Sequence, residues 1–251
     1  MKKKGFTLIE LLVVIAIIAL LLAILMPSLR RVKEAGKRIQ CMNNTKTFAA
    51  AMMLYVKDYE NKFPSAKASN NGWIDEIPGY KFNPWEAPKE DQLEAIRRGL
   101  LFSYVENTDV YKCPVAKKNH FRTYSLPHSI NGFANDGGTI LQKITQAKNT
   151  SGRMLFLDDY IYDYDSAWMI WYSRQAWWNT TPIRHGSGGN VFSYLDGHSD
   201  FHLWKHQDTI DWAIDRNAVQ KPDGGYTGSK TEDMIWAQRA VWGDLGYTPT
   251  P

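Results

Sequence analysis

The chain has 251 residues, of which 22% are charged and 13% aromatic; that is too apolar for a disordered polymer and long enough for one sizeable domain with an appendage, or for two small domains. The formal net charge is only +4. Much of the excess gathers beside one apolar run, in Lys2, Lys3, Lys4, Arg30, Arg31, Lys33, Lys37 and Arg38, a pattern that suits lipid head groups and carries no nucleic-acid signature.

The apolar run extends from Phe6 to Met26 and holds one charge, Glu10. It is longer than the hydrophobic region of a secretory signal peptide, and it ends in Met-Pro-Ser-Leu-Arg-Arg rather than in a small-residue cleavage site. A simple membrane anchor matches its length but leaves Glu10 unexplained, because a carboxylate at the centre of a span costs about 2.5–3.5 kcal/mol, less near the end, and needs a partner. Cleavage between Gly5 and Phe6 would supply one. The new α-amine of Phe6 lies four residues from Glu10 on the same helical face, and the amine of a neighbouring subunit offers the same pairing.

Gly5-Phe6-Thr7-Leu8-Ile9-Glu10, preceded by lysines and followed by an apolar helix, resembles the processing signal of type IV prepilins and type II secretion pseudopilins. The resemblance covers about the first sixty residues. It implies cleavage after Gly5 by a prepilin peptidase, N-methylation of Phe6, an assembly role for Glu10 and a helix-kinking role for Pro27. It also implies an N-terminus in the cytoplasm, which the positive charges on both sides of the run leave open. The implied partners are other pilin or pseudopilin subunits, the peptidase, an inner-membrane assembly platform and membrane lipid.

Beyond Pro27 the pattern Val32, Ala35, Ile39, Met42, Ala49, Met52, Val56 and Tyr59 predicts that the helix resumes as an amphipathic one to about Glu60. The whole rod would be roughly 80 Å long. Residues 61–85 are rich in Pro, Gly and Asn and read as loop. A short helix is expected over 90–104, then strands over 121–126, 153–157, 168–172, 190–195 and 201–204. Asp196-Gly197 marks a hairpin whose two turn residues would both take positive φ. The fold class is therefore α+β, with a long helix packed on an antiparallel sheet. The expected organisation is a leader over 1–5, a transmembrane or filament-core helix over 6–26, its amphipathic continuation over 27–60, and a globular head outside the cytoplasm over 61–251.

The stretch from Arg184 to His198 carries a second resemblance, to prepilin-type proteins in which a His is followed by nine residues and then Asp-Gly. Here ten residues separate His185 from Asp196-Gly197. That resemblance adds architecture rather than chemistry. Cys41 and Cys113 are the only cysteines. They could form one disulfide outside the cytoplasm, or remain two buried thiols that never meet. Neither has a CxxC neighbour, so local spacing supports no zinc or redox motif. His198, His202 and His206 recur at intervals of four and could align for a metal or form a polar face. Asp158, Asp159, Asp163 and Asp165 fail the EF-hand spacing; the resemblance to pseudopilins, some of which hold a structural calcium near the C-terminus, makes calcium the one cofactor to consider, against a solvated acidic turn. Trp168, Trp171, Trp177 and Trp178, with Tyr160, Tyr162 and Tyr172, could form a sugar- or protein-binding platform, or the core of a wide sheet. No G-x-S-x-G, H-E-x-x-H or P-loop occurs, and the sequence predicts no enzyme. The leading expectation is a structural filament subunit, and the alternative is a membrane-anchored carbohydrate- or protein-binding module that does not polymerise.

Overall fold

The computed structural model describes residues 8–80, 84–133, 137–159, 166–179, 183–185, 188–214 and 232–249. One helix, α1 (Leu8–Asp58), runs for 51 residues and continues through Pro27. Its two halves have different environments because their sequences differ. From Leu8 to Leu29 every large apolar side chain is exposed, with Leu8 at 75% and Leu29 at 64%. From Cys41 onward one face enters the head, through Cys41, Asn44, Thr45, Phe48, Ala49, Met52, Tyr55 and Val56. The expected stripe is right at Ala49, Met52 and Val56. Val32, Ile39 and Tyr59 are instead exposed; the head reaches the helix by Arg38, whose guanidinium lies 4.6 Å from the Phe201 ring centroid, and buries its inner face from Cys41.

The expected helix over 90–104 is broken into α2 (Lys89–Arg98) and the single turn α3 (Phe102–Val105). Gly99 separates them in an extended conformation, and a Cβ there would lie 2.5 Å from the backbone of Trp73 and Ile74. The strands among the described residues are β1 (Tyr124–Pro127), β2 (Met154–Asp158), β3 (Ala167–Trp168), β4 (Gly189–Tyr194) and β5 (Ser199–Leu203). They form one sheet in the order β3-β1-β2-β4-β5. All neighbouring pairs are antiparallel except β1–β3, which is parallel. The β4–β5 hairpin turns at Asp196-Gly197 as expected, but only Gly197 takes positive φ, at +92°. The Gly197 N–H donates to Tyr194 O and the Tyr194 N–H to His198 O. This is a three-residue loop closed by a glycine bulge rather than the two-residue mirror turn.

β2 and β4 are buried along their whole length, as expected for strands covered on both faces. One face packs on α1. There Phe48 is fully buried, stacked on Phe156 with centroids 5.0 Å apart and edge-on to Trp73, Tyr111 and Tyr124. The other face carries Met154, Leu157, Phe192 and Tyr194, together with Trp168, Trp177 and Trp204. It is covered by α5 (Glu232–Trp242) through Met234, Ala237, Val241 and Trp242. A further helix, α4 (Gln207–Ile214), follows β5. The head is thus three layers deep, and the sequence reading anticipated neither α4 nor α5.

Candidate functional site

Gly5 and Phe6 lie outside the described residues, as do Asp163 and Asp165. Glu10 sits in the first turn of α1 on an exposed face, where the positive end of the helix dipole favours an acid. Around it the chain offers lipid or another subunit a continuous apolar cylinder. α1 is long and apolar enough to cross a membrane by length and composition.

A second site lies inside the head, where the long helix meets the sheet. Register places Tyr124 of β1 directly opposite Asp158, the last residue of β2, so both side chains stand on one face, the face that α1 covers. Cys41 of α1, Cys113 of the loop before β1 and His185 of the segment before β4 converge there with Asp158. All four are buried, and one potential ligand atom from each lies within 4.8 Å of every other. Cys41 Sγ is 3.8 Å from Asp158 Oδ2, Cys113 Sγ is 3.5 Å from His185 Nε2, and His185 Nε2 is 3.8 Å from Asp158 Oδ2. The Tyr124 hydroxyl donates to Cys41 Sγ at 3.2 Å.

Each participant is held by its own support. Cys113 N–H donates to Thr123 Oγ1 at 2.6 Å, and Asn44 of α1 donates to Lys112 O at 3.1 Å, tying the Cys113 loop to the helix. Asn190 of β4 donates to Asp158 O at 2.8 Å. Arg184 Nε stands 3.0 Å from Asp158 Oδ1, and both side chains are buried. Burial shapes the titration of the group. It pushes the Cys41 thiol up, lifts Asp158 to about 6 against the pull of Arg184, and lowers His185 to about 4. The pocket at neutral pH therefore holds a neutral imidazole and a carboxylate that leans on Arg184.

The structure separates readings that the sequence leaves open. Cys41 and Cys113 are both free thiols in the structure, and they meet in the cluster, with their sulfurs within 4.8 Å of one another. Asp158 and Asp159 do not form a solvated acidic turn: both are buried, and Asp159 Oδ2 accepts from Ser125 Oγ at 2.7 Å. His185 and Asp196 belong to different places, the first in the buried cluster and the second on the exposed hairpin, where Asp196 pairs with His198 at 2.5 Å. The three spaced histidines are dispersed: His198 stacks on Tyr194, His202 stacks on Trp236, and the His206 N–H donates to Asp233. Trp168, Trp171 and Trp177 are buried core rather than an open platform, while Tyr160 and Tyr162 lie outside the described residues. The cluster of Cys41, Cys113, Asp158 and His185 escaped the sequence reading as a unit because no two of its members are near in sequence.

A long helix, apolar and bare in its first half and buried under an α+β head in its second, defines a pilin-type protein. Comparison with known proteins agrees. Residues 1–26 match the family described as the prokaryotic N-terminal methylation motif. The ComG operon protein 3 homolog of Bacillus licheniformis is 33% identical over 75 residues, which span 30% of this chain and 77% of that protein. No solved structure matches. The chain belongs to the prepilin-type family, a membrane-anchored class of pilin-like proteins.

Proposed function

We propose that this chain is a structural subunit of a type II secretion pseudopilus or a type IV pilus-like filament. A prepilin peptidase cuts between Gly5 and Phe6 and methylates the Phe6 amine. The subunit waits in the inner membrane with its head in the periplasm, then enters the filament through an assembly platform. The observation that carries this reading is the division of α1. Its exposed apolar half, Leu8 to Leu29, has no partner surface within the described head, and close packing against the same segment of other copies would bury it. Glu10 would pair with the amine of Phe6 in its own or a neighbouring subunit, offsetting the burial of the carboxylate and setting the stagger between helices.

Substitution of Glu10 by leucine tests this directly. The variant is expected to insert in the membrane at the normal level and to be missing from sheared or cross-linked filaments. Unchanged incorporation of the Glu10→Leu variant would overturn the assembly role and favour an anchored module that does not polymerise.

A further inference from the structure

We propose that Cys41, Cys113, Asp158 and His185 form a structural zinc site that cross-links the filament helix to the head. The geometry suits the ion. A tetrahedral zinc with the usual bond lengths sets its ligand atoms at about 3.8 Å for two sulfurs, about 3.5 Å for sulfur to nitrogen or oxygen, and about 3.3 Å for nitrogen to oxygen. The observed separations of 3.5 Å for Cys113 Sγ to His185 Nε2 and 3.8 Å for both Cys41 Sγ and His185 Nε2 to Asp158 Oδ2 fall close to those edges. Two sulfurs, one imidazole and one carboxylate form a donor set for zinc. Calcium and magnesium take oxygen ligands and are disfavoured by thiolates.

The surroundings match what a metal centre requires beyond its ligands. The Tyr124 hydroxyl donates to Cys41 Sγ, Arg184 holds the second oxygen of Asp158, and Asn190 and Thr123 fix the backbones of Asp158 and Cys113. Such contacts orient ligands and tune their basicity. On binding, the Cys41 and Cys113 thiols each release a proton to solvent. His185 coordinates through Nε2 as neutral imidazole, and Asp158 coordinates through Oδ2 as carboxylate. The ion's two positive charges meet three negative ligands, and Arg184 beside Asp158 balances the remainder, so the buried centre is neutral overall.

The alternatives explain less. A disulfide would use the two sulfurs and leave the Asp158 carboxylate and the His185 imidazole facing a bridge that offers neither a strong partner. A metal-free cluster pairs Asp158 Oδ1 with Arg184 at 3.0 Å but leaves Oδ2 facing Cys41 and His185 at 3.8 Å in a dry interior. The four ligands come from α1, from the loops before β1 and β4, and from the end of β2. One ion would therefore fasten the helix that enters the filament to the body that the filament carries. This does not depend on which filament the subunit joins, because the site lies wholly within one chain.

The experiment uses the full chain, purified in detergent from cells grown with zinc. Elemental analysis and the reactivity of the two thiols are measured before and after a chelator, and zinc is exchanged for cobalt. The expected results are one zinc per chain, thiols that react only after chelation, and a cobalt spectrum with intense tetrahedral bands and a thiolate-to-metal charge-transfer band. Cys113→Ser should weaken that band to roughly half, since one of two thiolates is gone. Tyr124→Phe keeps all four ligands and the ring, and should lower zinc affinity roughly 10–100-fold. A metal-free protein whose thiols react at once would overturn the proposal, as would an intact mass two hydrogens lighter than the dithiol, which would reveal a disulfide. The wild-type cobalt spectrum decides the matter even if a ligand variant does not fold.

Discussion

Phe48 is a residue through which α1 is built into the head, and replacing it with alanine should weaken that joint. Its ring is fully buried and touches four aromatic rings, those of Trp73, Tyr111, Tyr124 and Phe156, at centroid distances of 4.7–5.9 Å. A Phe→Ala change in a packed core costs about 3–5 kcal/mol. Aromatic pairs add about 0.5–1.5 kcal/mol each beyond area burial, so the upper end, about 5 kcal/mol, is expected. In a domain of this size each kcal/mol lowers Tm by about 2–4 °C, which gives a fall of about 10–20 °C. The assay is thermal unfolding of the full chain in detergent, followed by near-ultraviolet circular dichroism, where the buried tryptophans report. Leu54→Ala is the control, because Leu54 lies on the same helix but is 52% exposed, and it should shift Tm by no more than about 2 °C. A Phe48→Ala shift no larger than that of the control would refute the account of how α1 joins the head.

Two further predictions concern the head. Arg153 is buried and donates to Trp242 O at 2.6 Å and Val241 O at 2.8 Å, capping the C-terminal end of α5; Arg153→Met should cost about 2–4 kcal/mol by leaving both carbonyls without that donor, and hydrogen exchange should quicken first in residues 232–242. His120 is buried and its pKa is lowered to about 4, chiefly by desolvation and then by Arg184. The folded state therefore resists protonation that the unfolded chain accepts near 6.5. Stability should be full above about pH 6.5 and fall as pH drops toward about 4, and a His120→Gln variant should show a shallower fall in denaturant titrations over that window.

The N-terminal helix was legible because two signals follow one another: a membrane-length apolar run, and beyond Pro27 an amphipathic stripe at steps of three or four, which the head covers at Ala49, Met52 and Val56. The strands were legible from short apolar and aromatic runs such as 154–157 and 191–194, although the run expected over 168–172 forms only the two-residue β3, and the β4–β5 hairpin was legible from Asp196-Gly197. What the sequence concealed is mostly long-range. β2 and β4 are apolar on both faces, which calls for a second covering layer, and α5 supplies it with Met234, Ala237 and Val241 at helical spacing. That spacing is visible once the need for a cover is recognised, but a helix of 11 residues gives a weak signal alone. The buried cluster was concealed more deeply. Zinc motifs are read from ligands a few residues apart, whereas Cys41, Cys113, Asp158 and His185 are brought together only by the β1–β2 register and the docking of α1. In the sequence Asp158 reads as one of four acids, with Asp159, Asp163 and Asp165, that suit calcium or a solvated turn. His185 reads as one end of a spaced motif whose Asp-Gly end serves the hairpin.

The claim on which the account turns is that proteolysis after Gly5 frees the Phe6 amine so that it can meet Glu10. Mass spectrometry of the N-terminal peptide, from protein recovered out of native filaments or membranes, tests it most directly. The account predicts a mature chain that begins at Phe6 with a methylated amine. A filament-incorporated chain that still carries Lys2, Lys3 and Lys4 would contradict it.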